Sequence, residues 1–320
     1  MTRLQDQHST ERIHTFNVIP EEEGKRLDRL LADRFPDISR ERWKRAIEEG
    51  DVKTSKKKVA SSYRPALGET ITCRLPELKE SSQPVPESIE LCVLYEDEWL
   101  AAIDKPAGMV VHPAHGHASG TLVNAILHRY GKKLAADRDP VRPGIVHRLD
   151  RDTSGVMIVV FDDAVRRAMQ RLFRQHEVER VYDAIVWGDF TAPRAVIELP
   201  IARSGVNRKK MVVREDGKPA ITGVEKIDGN GQISHLQCKL VTGRTHQIRV
   251  HLSHIGHPVI GDPLYGGCRG AGKWPSQLLH ASRLSFIHPV TKEMISFESP
   301  LAERFKPYLD EIDMSHQNHT

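Results

Sequence analysis

Apolar residues recur at helical spacing twice near the start of the chain. In GKRLDRLLADRFP, from Gly24, the residues Leu27, Leu30 and Leu31 stand at i, i+3 and i+4, which predicts a short helix stopped before Pro36. A second helix follows, with Ser39 as its cap, Glu41 in its first turn, and Trp43, Ala46 and Ile47 on its buried face up to Gly50. The residue three after that cap is Arg42, so no reciprocal capping box forms. The next stretch, DVKTSKKKVASSYRPALGETITCRLP, mixes Val and Thr runs with turn residues at Ser55 and Gly68 and reads as short strands. After a loose polar N-terminus (1–15), residues 16–78 therefore form a small α/β module of two helices and a basic hairpin.

The segment KESSQPVPES (79–88) has the composition of a linker. Beyond it the pattern changes. LCVLYEDEWLAAIDKPAG reads as two strands about a turn at Glu96-Asp97, and TLVNAILHRYG puts Leu122, Ala125 and Ile126 at helical spacing. VMIVVF (156–161) is a buried strand, followed by a helix in DDAVRRAMQRLFRQH capped by Asp162, with Val165, Met169 and Leu172 inward. Strands are expected in YDAIVWG, AITGVEKI and SHLQCKLV. A helix in THQIRVHLSHIG has Thr245 as its cap and Ile248, Leu252 and Ile255 inward, and it sets His246, Arg249 and Ser253 on the other face. Strand-rich segments with a few helices argue for an α+β domain on a mixed, largely antiparallel sheet, over a regular βαβ winding. This second domain spans 89–310, and 311–320 is expected to be a flexible C-terminus.

The chain has 320 residues, of which 39% are hydrophobic and 28% charged, enough apolar material for one or two cores. No stretch approaches the roughly 18 uninterrupted apolar residues of a membrane span, and the N-terminus lacks the apolar core of a secretory signal. Four cysteines (73, 92, 238 and 268) lie far apart without a C-x-x-C pair, so neither a disulfide framework nor a cysteine zinc site is indicated, and a reducing cytoplasm fits. The net charge of +4 is mild, but residues 24–80 carry 15 basic and 10 acidic side chains, so the basic field is N-terminal.

The densest chemical signal is GIVHRLDRDTSGVMIVV (144–160), a charged, turn-rich loop between two apolar stretches. Asp150 stands there between Leu149 and Arg151 with Arg148 nearby, and the basic neighbours favour its ionised form. An ionised carboxylate beside a strand end can serve as a nucleophile or a base, and the residues alone leave that choice open.

HRLDRDTSG resembles the catalytic motif of the RluA family of pseudouridine synthases. So do DKPAGMVVHPAHGHASGTLVNAIL (104–127), ERVYDAIVWG (179–188), LVTGRTHQIRVHLSHIGHPVIGDPLYG (240–266) and LLHASRLSFIHP (278–289), in the order that family shows. The two-helix RLDRLL…SRERWKRAIEEGDV pattern resembles the RNA-binding module of ribosomal small-subunit protein four. The resemblance implies the pseudouridine synthase fold and an isomerase that turns uridine into pseudouridine in RNA. It makes Asp150 the catalytic carboxylate, Tyr182 the ring that stacks on the target base, Arg249 the partner of that carboxylate, and Arg148 a holder of the flipped nucleotide. The base must leave the stack for its bond to the sugar to be reached, which costs a few kcal/mol of unstacking that an aromatic pocket offsets. Neither redox change nor phosphate transfer is involved, so no cofactor and no metal are expected. RNA contacts are assigned to Arg40, Arg42, Lys44, Arg45, Lys56, Lys57, Lys58 and Arg244; lysines there suit phosphate better than base edges. Arg249→Ala is expected to impair turnover more than folding.

Three other motifs lead elsewhere. Asp152-Thr153-Ser154-Gly155 matches the D-T-S-G of aspartic proteases, but only one copy exists and polar residues precede it. Gly267 to Lys273 has phosphate-loop spacing, with Trp274 where a Ser or Thr would bind magnesium. His112, His115 and His117 share no fixed face and have no adjacent acidic support, which disfavours zinc. The expected partner is RNA, preferably that of the large ribosomal subunit, with transfer RNA as the alternative. The protein is expected to act as a cytoplasmic monomer without an obligate protein partner or a membrane. A different reading keeps the fold as a non-catalytic RNA chaperone, which would tolerate Asp150→Asn.

Overall fold

A computed structural model describes residues 13–36, 38, 40–56, 59–75, 84–113, 117, 119–134, 142–266 and 276–317. The chain divides into two units, residues 1–81 and 82–320.

In the first unit β1 (Ile13–Asn17), α1 (Leu27–Arg34), α2 (Arg40–Glu49), β2 (Val52–Lys53) and β3 (Thr70–Arg74) form a sheet of order β1-β3-β2 carrying two helices. β1 opens at Ile13, three residues ahead of Phe16, where periodicity becomes visible in the sequence. Leu27, Leu30 and Leu31 from α1 meet Trp43, Ala46 and Ile47 from α2 over Ile71 and Cys73, all buried. Ser39, the expected cap, lies outside the described residues.

The second unit is built on one large sheet. Its elements are β4 (Cys92–Glu96), β5 (Leu100–Lys105), α3 (Leu122–Tyr130), β6 (Ser154–Val160), α4 (Asp163–Gln175), β7 (Glu179–Trp187), β8 (Arg194–Glu198), β9 (Ile201–Arg203), β10 (Met211–Val213), β11 (Ile221–Gly229), β12 (Ile233–Leu240), α5 (Gln247–His254), β13 (Leu279–Ile287), β14 (Met294–Glu298) and α6 (Lys306–Gln317). The strand order is β4-β5-β6-β13-β7-β12-β11-β8, with β14 on β13 and a separate β9-β10 pair. All ladders are antiparallel except β6 with β13, so the sheet is mixed and largely antiparallel. Every residue of β6 is buried, which is why its sequence is a continuous apolar run instead of an alternating one. Asp162 caps α4 by accepting the Val165 N–H at 2.9 Å.

Two sequence expectations are corrected. Residues 311–317 are not a loose tail: they complete α6, whose Tyr308 and Ile312 pack with Phe305 against Ile185, Ile233 and Ile260. In α5 the cap is His246, in a left-handed backbone conformation (φ 57°), and not Thr245; Ile255 at the far end is 36% exposed instead of inward.

The parallel contact of β6 with β13 depends on Gly155. Its φ is +111°, and a Cβ there would sit 2.2 Å from the Ala281 carbonyl oxygen. Gly155→Ala is therefore expected to destabilise this unit by about 3 kcal/mol, combining left-handed strain with overpacking. Urea unfolding checks it; a midpoint equal to that of the wild type would show that the strands can part at no cost. Among the described residues no helix is long and apolar enough to cross a membrane, and Cys73, Cys92 and Cys238 are free.

Candidate active site

Asp150 sits in the tight turn that leads into β6, where the Thr153 N–H bonds back to the Asp150 carbonyl at 3.2 Å. Several long-range contacts fix this turn from behind. Lys105, at the end of β5 and fully buried, donates to the carbonyls of Pro106, Met109 and Arg151 at 2.7, 2.9 and 3.0 Å. Burial pulls its pKa down to about 7, while the three carbonyls match the three protons of an ammonium group. Gln277 donates to the Thr153 hydroxyl at 2.8 Å, and Arg304 donates to the Ser154 hydroxyl at 2.8 Å and the Leu279 carbonyl at 3.1 Å. The D-T-S-G string is thus internal wiring of the turn.

The Asp150 carboxylate, with 18% of its side chain exposed, accepts from Arg249 Nη1 at 2.7 Å. Arg249 projects from α5 and is itself 96% buried, with its Nε and Nη2 engaged in a two-pronged bond to Asp262 at 2.7 and 2.9 Å. Burial opposes the charge of this guanidinium, but the bonds to Asp262 and then the charge of Asp150 outweigh it and raise the pKa above the ordinary arginine value. Asp262 has no exposed side-chain surface and also accepts the N–H groups of Leu264 and Tyr265 at 2.8 and 3.0 Å. One guanidinium therefore holds two carboxylates, one at the surface of the cleft and one behind it.

His246 completes the surroundings of Asp150. Its Nε2 is 3.8 Å from Asp150 Oδ1, and its Nδ1 is 2.8 Å from the Tyr265 hydroxyl, which also accepts the Met211 N–H at 2.8 Å. Burial lowers the pKa of this imidazole and favours its neutral form. Tyr182 lies on β7 opposite Cys238 of β12, 8% exposed, packed in one apolar cluster with Leu149, Ile248 and Leu279. Burial raises the pKa of its phenol, so the ring is neutral.

These groups line a cleft of about 500 Å³. Arg148, Arg174, Arg180, Arg244 and Arg249 face it, and Asp150 is the only carboxylate among its described lining residues. Asp150, Tyr182, Arg148, Arg249 and Arg244 are thus brought together. Arg148 is exposed at the rim, and Arg244 is tethered there by its Nε to the Pro219 carbonyl at 2.9 Å.

The assigned residues of the first unit divide. Lys44 and Arg45 are exposed, and the exposed Lys56 places its ammonium 4.6 Å from the centre of the Tyr63 ring. Arg40 is committed to Asp28, bonding its buried carboxylate through Nε and Nη2 at 3.1 and 3.0 Å, so it is not an unpaired phosphate contact. Arg42 is half-buried. Lys57 and Lys58 lie outside the described residues, as do His115 and residues 267–275; among the described residues no three metal-binding side chains cluster.

Sequence reading gave no role to Lys105, Arg180, Asp262 or Tyr265. Asp262 and Tyr265 stand in the GDPLYG string, Lys105 in DKPAG and Arg180 in ERVYD, so the motifs contained them, but only the fold sets Asp262 on Arg249, Tyr265 on His246, Lys105 behind the Asp150 turn and Arg180 in the same cleft.

An arginine-lined cleft with one ion-paired carboxylate and a buried tyrosine has the charge and shape to suit an anionic, ring-bearing ligand. The RNA pseudouridylate synthase family matches residues 100–254, from β5 to the end of α5. The Zymomonas mobilis protein "Ribosomal large subunit pseudouridine synthase D" is 38% identical over 92% of this chain and 96% of that protein. An Aquifex aeolicus protein called "Uncharacterized RNA pseudouridine synthase" is 41% identical over 91% of this chain and 94% of its own length. Among solved structures, human RNA pseudouridylate synthase domain containing 1 superposes with a TM-score of 0.56 at 27% identity, covering 71% of this chain and 89% of that one. The chain belongs to the RluA family of RNA pseudouridine synthases, and it is an isomerase.

Proposed function

We propose that this enzyme isomerises uridines of large-subunit ribosomal RNA, acting as a monomer in the cytoplasm, with Asp150 as its catalytic carboxylate. The observation that carries the reading is the Asp150–Arg249 ion pair at 2.7 Å beside Tyr182, in a cleft otherwise lined by positive charge. The relative named for the large ribosomal subunit supports the choice of RNA.

The reaction breaks the bond between N1 of uracil and C1′ of ribose, turns the base and joins C5 to C1′; C5 gives up its proton to solvent and N1 takes one up, so the product is an isomer of the substrate. Asp150 faces the sugar as nucleophile or base, and Arg249 fixes its orientation. Tyr182 holds the flipped ring and keeps the detached uracil over the sugar, offsetting the unstacking. Arg148, exposed at the mouth, meets the nucleotide from the rim, and Arg244 meets the phosphate backbone.

The reading is tested by mapping pseudouridine in total RNA from cells lacking the protein, with and without restoring it. Large-subunit sites that vanish and return support it; loss confined to transfer RNA would move the substrate, and no change would favour the chaperone. Lys44, Arg45 and the Lys56–Lys58 run supply sequence-independent phosphate contacts. Replacing Lys56, Lys57 and Lys58 together by Ala is expected to weaken binding of target RNA and to reduce the slope of log K against log salt by about two. An unchanged slope in a filter-binding titration would remove these lysines from the interface.

A further inference from the structure

Arg180 has no partner equal to its charge. It lies on β7 two residues before Tyr182 and is only 9% exposed, yet among the described residues no carboxylate pairs with it. Nη2 donates to the Val241 carbonyl at 3.1 Å and more weakly toward that of Leu240 at 3.5 Å, while Nε is buried without a partner. The Phe173 ring centre lies 5.8 Å from its Cζ, but a guanidinium does not shed its proton, so burying one against carbonyls and a ring is costly unless an anion arrives to share the site. Arg180 lines the same cleft as Asp150 and Tyr182, and alternation along the strand turns its side chain to the same face as Tyr182. The chain leaves space for it: Gly243 has no side chain, and a Cβ there would lie 2.7 Å from Arg180 Nη1.

Spacing identifies the anion. Two residues along a strand cover about 6.6 Å, a separation of the same order as the one ribose that stands between a nucleobase and its phosphate. With the uracil on Tyr182, a flanking phosphate falls on Arg180. We propose that Arg180 is the seat of a phosphodiester flanking the flipped uridine, a charge-assisted contact made only once the nucleotide has left the helix. This rests on the proposed function and adds a binding residue to it. Arg148 and Arg244 sit at the edge of the cleft, where any RNA strand meets them; Arg180 lies on its floor and meets only an extruded nucleotide. Its role is then to reward flipping and so favour the extruded state.

The test uses the full-length protein and an RNA hairpin that the wild type modifies. Arg180→Gln is expected to raise Kd and KM at least tenfold, leave kcat within about threefold, and lower the salt slope by about one. Gly243→Ala, at a position whose backbone suits alanine, is expected to show the same signature by displacing the guanidinium, and Arg180→Lys to recover part of the loss. Hairpins with a methylphosphonate on the 5′ or the 3′ side of the target uridine separate phosphate from base. At one of these positions the wild type should lose the same factor, and Arg180→Gln should lose nothing more. Equal Kd and salt slope in both variants, or losses that simply multiply at both positions, would overturn the inference. A lowered melting temperature with an unchanged salt slope in Arg180→Gln would make the residue structural and overturn it equally. A wild type that modifies no RNA would instead refute the proposed function.

Discussion

Asp150→Asn is expected to lower pseudouridine formation by at least about 10³-fold while leaving RNA affinity within a few-fold of the wild type. The substitution is close to isosteric, and the asparagine carbonyl can still accept from Arg249 Nη1. Arg249 keeps its two-pronged bond to Asp262, so no buried charge is stranded. What is lost is the negative oxygen proposed to act on the sugar. An amide is neither a nucleophile nor a base at neutral pH, and the His246 imidazole stands 3.8 Å from that oxygen through Nε2. Release of tritium from 5-³H-uridine RNA reads the reaction directly, because C5 must give up its hydrogen when it joins C1′. A variant that turns over within tenfold of the wild type would sink Asp150 as the catalytic carboxylate. If such a variant also restored a deletion strain, the chaperone reading would gain.

Much of this site was legible because local constraints leave local marks. The buried β6 reads as VMIVV, and the turn that must follow an apolar stretch and precede this strand reads as HRLDRDTSG. Periodicity likewise set Arg249 on the polar face of α5. Periodicity reports which face a residue takes, however, and not what it meets there. Asp150 and Arg249 are 99 residues apart, and Lys105 reaches the turn across 46. Arg40 shows the same limit in reverse: it reads as a solvated cation, and its partner Asp28 lies 12 residues away on another helix. The C-terminal helix was within reach, since Phe305, Tyr308 and Ile312 stand at i, i+3 and i+7, the spacing of one apolar face. The left-handed His246 was not, because histidine is only modestly enriched in that conformation, far less marked for it than glycine, and Thr245 beside it is an ordinary capping residue.

Asp262 offers the sharper test of how the site is held. Four donors converge on its carboxylate: Arg249 Nε on one oxygen, and Arg249 Nη2 with the N–H groups of Leu264 and Tyr265 on the other. In Asp262→Asn one of those oxygens becomes an NH2, and whichever way the amide turns, that NH2 faces a donor. The Arg249 charge is left with Asp150 alone. Breaking one side of a buried ion pair costs about 3–5 kcal/mol, or roughly 10 °C of melting temperature for a unit of this size. Activity should fall as well, because Arg249 no longer aims Asp150 and the loop bearing Tyr265, which braces His246, is loosened. The same pairing revises the expectation that Arg249→Ala affects turnover more than folding, since it would strand Asp262 in the core. The decisive variant removes both charges. Asp262→Asn with Arg249→Met is expected to melt higher than Asp262→Asn alone, because no unpaired buried charge remains, yet to stay inactive. Calorimetry and tritium release on the wild type, on Asp262→Asn and Arg249→Met singly and on the double variant separate the two effects. If Asp262→Asn melts within 2 °C of the wild type, or the double variant melts lower than both singles, Asp262 is not the counter-charge that lets a buried arginine present Asp150 to the cleft.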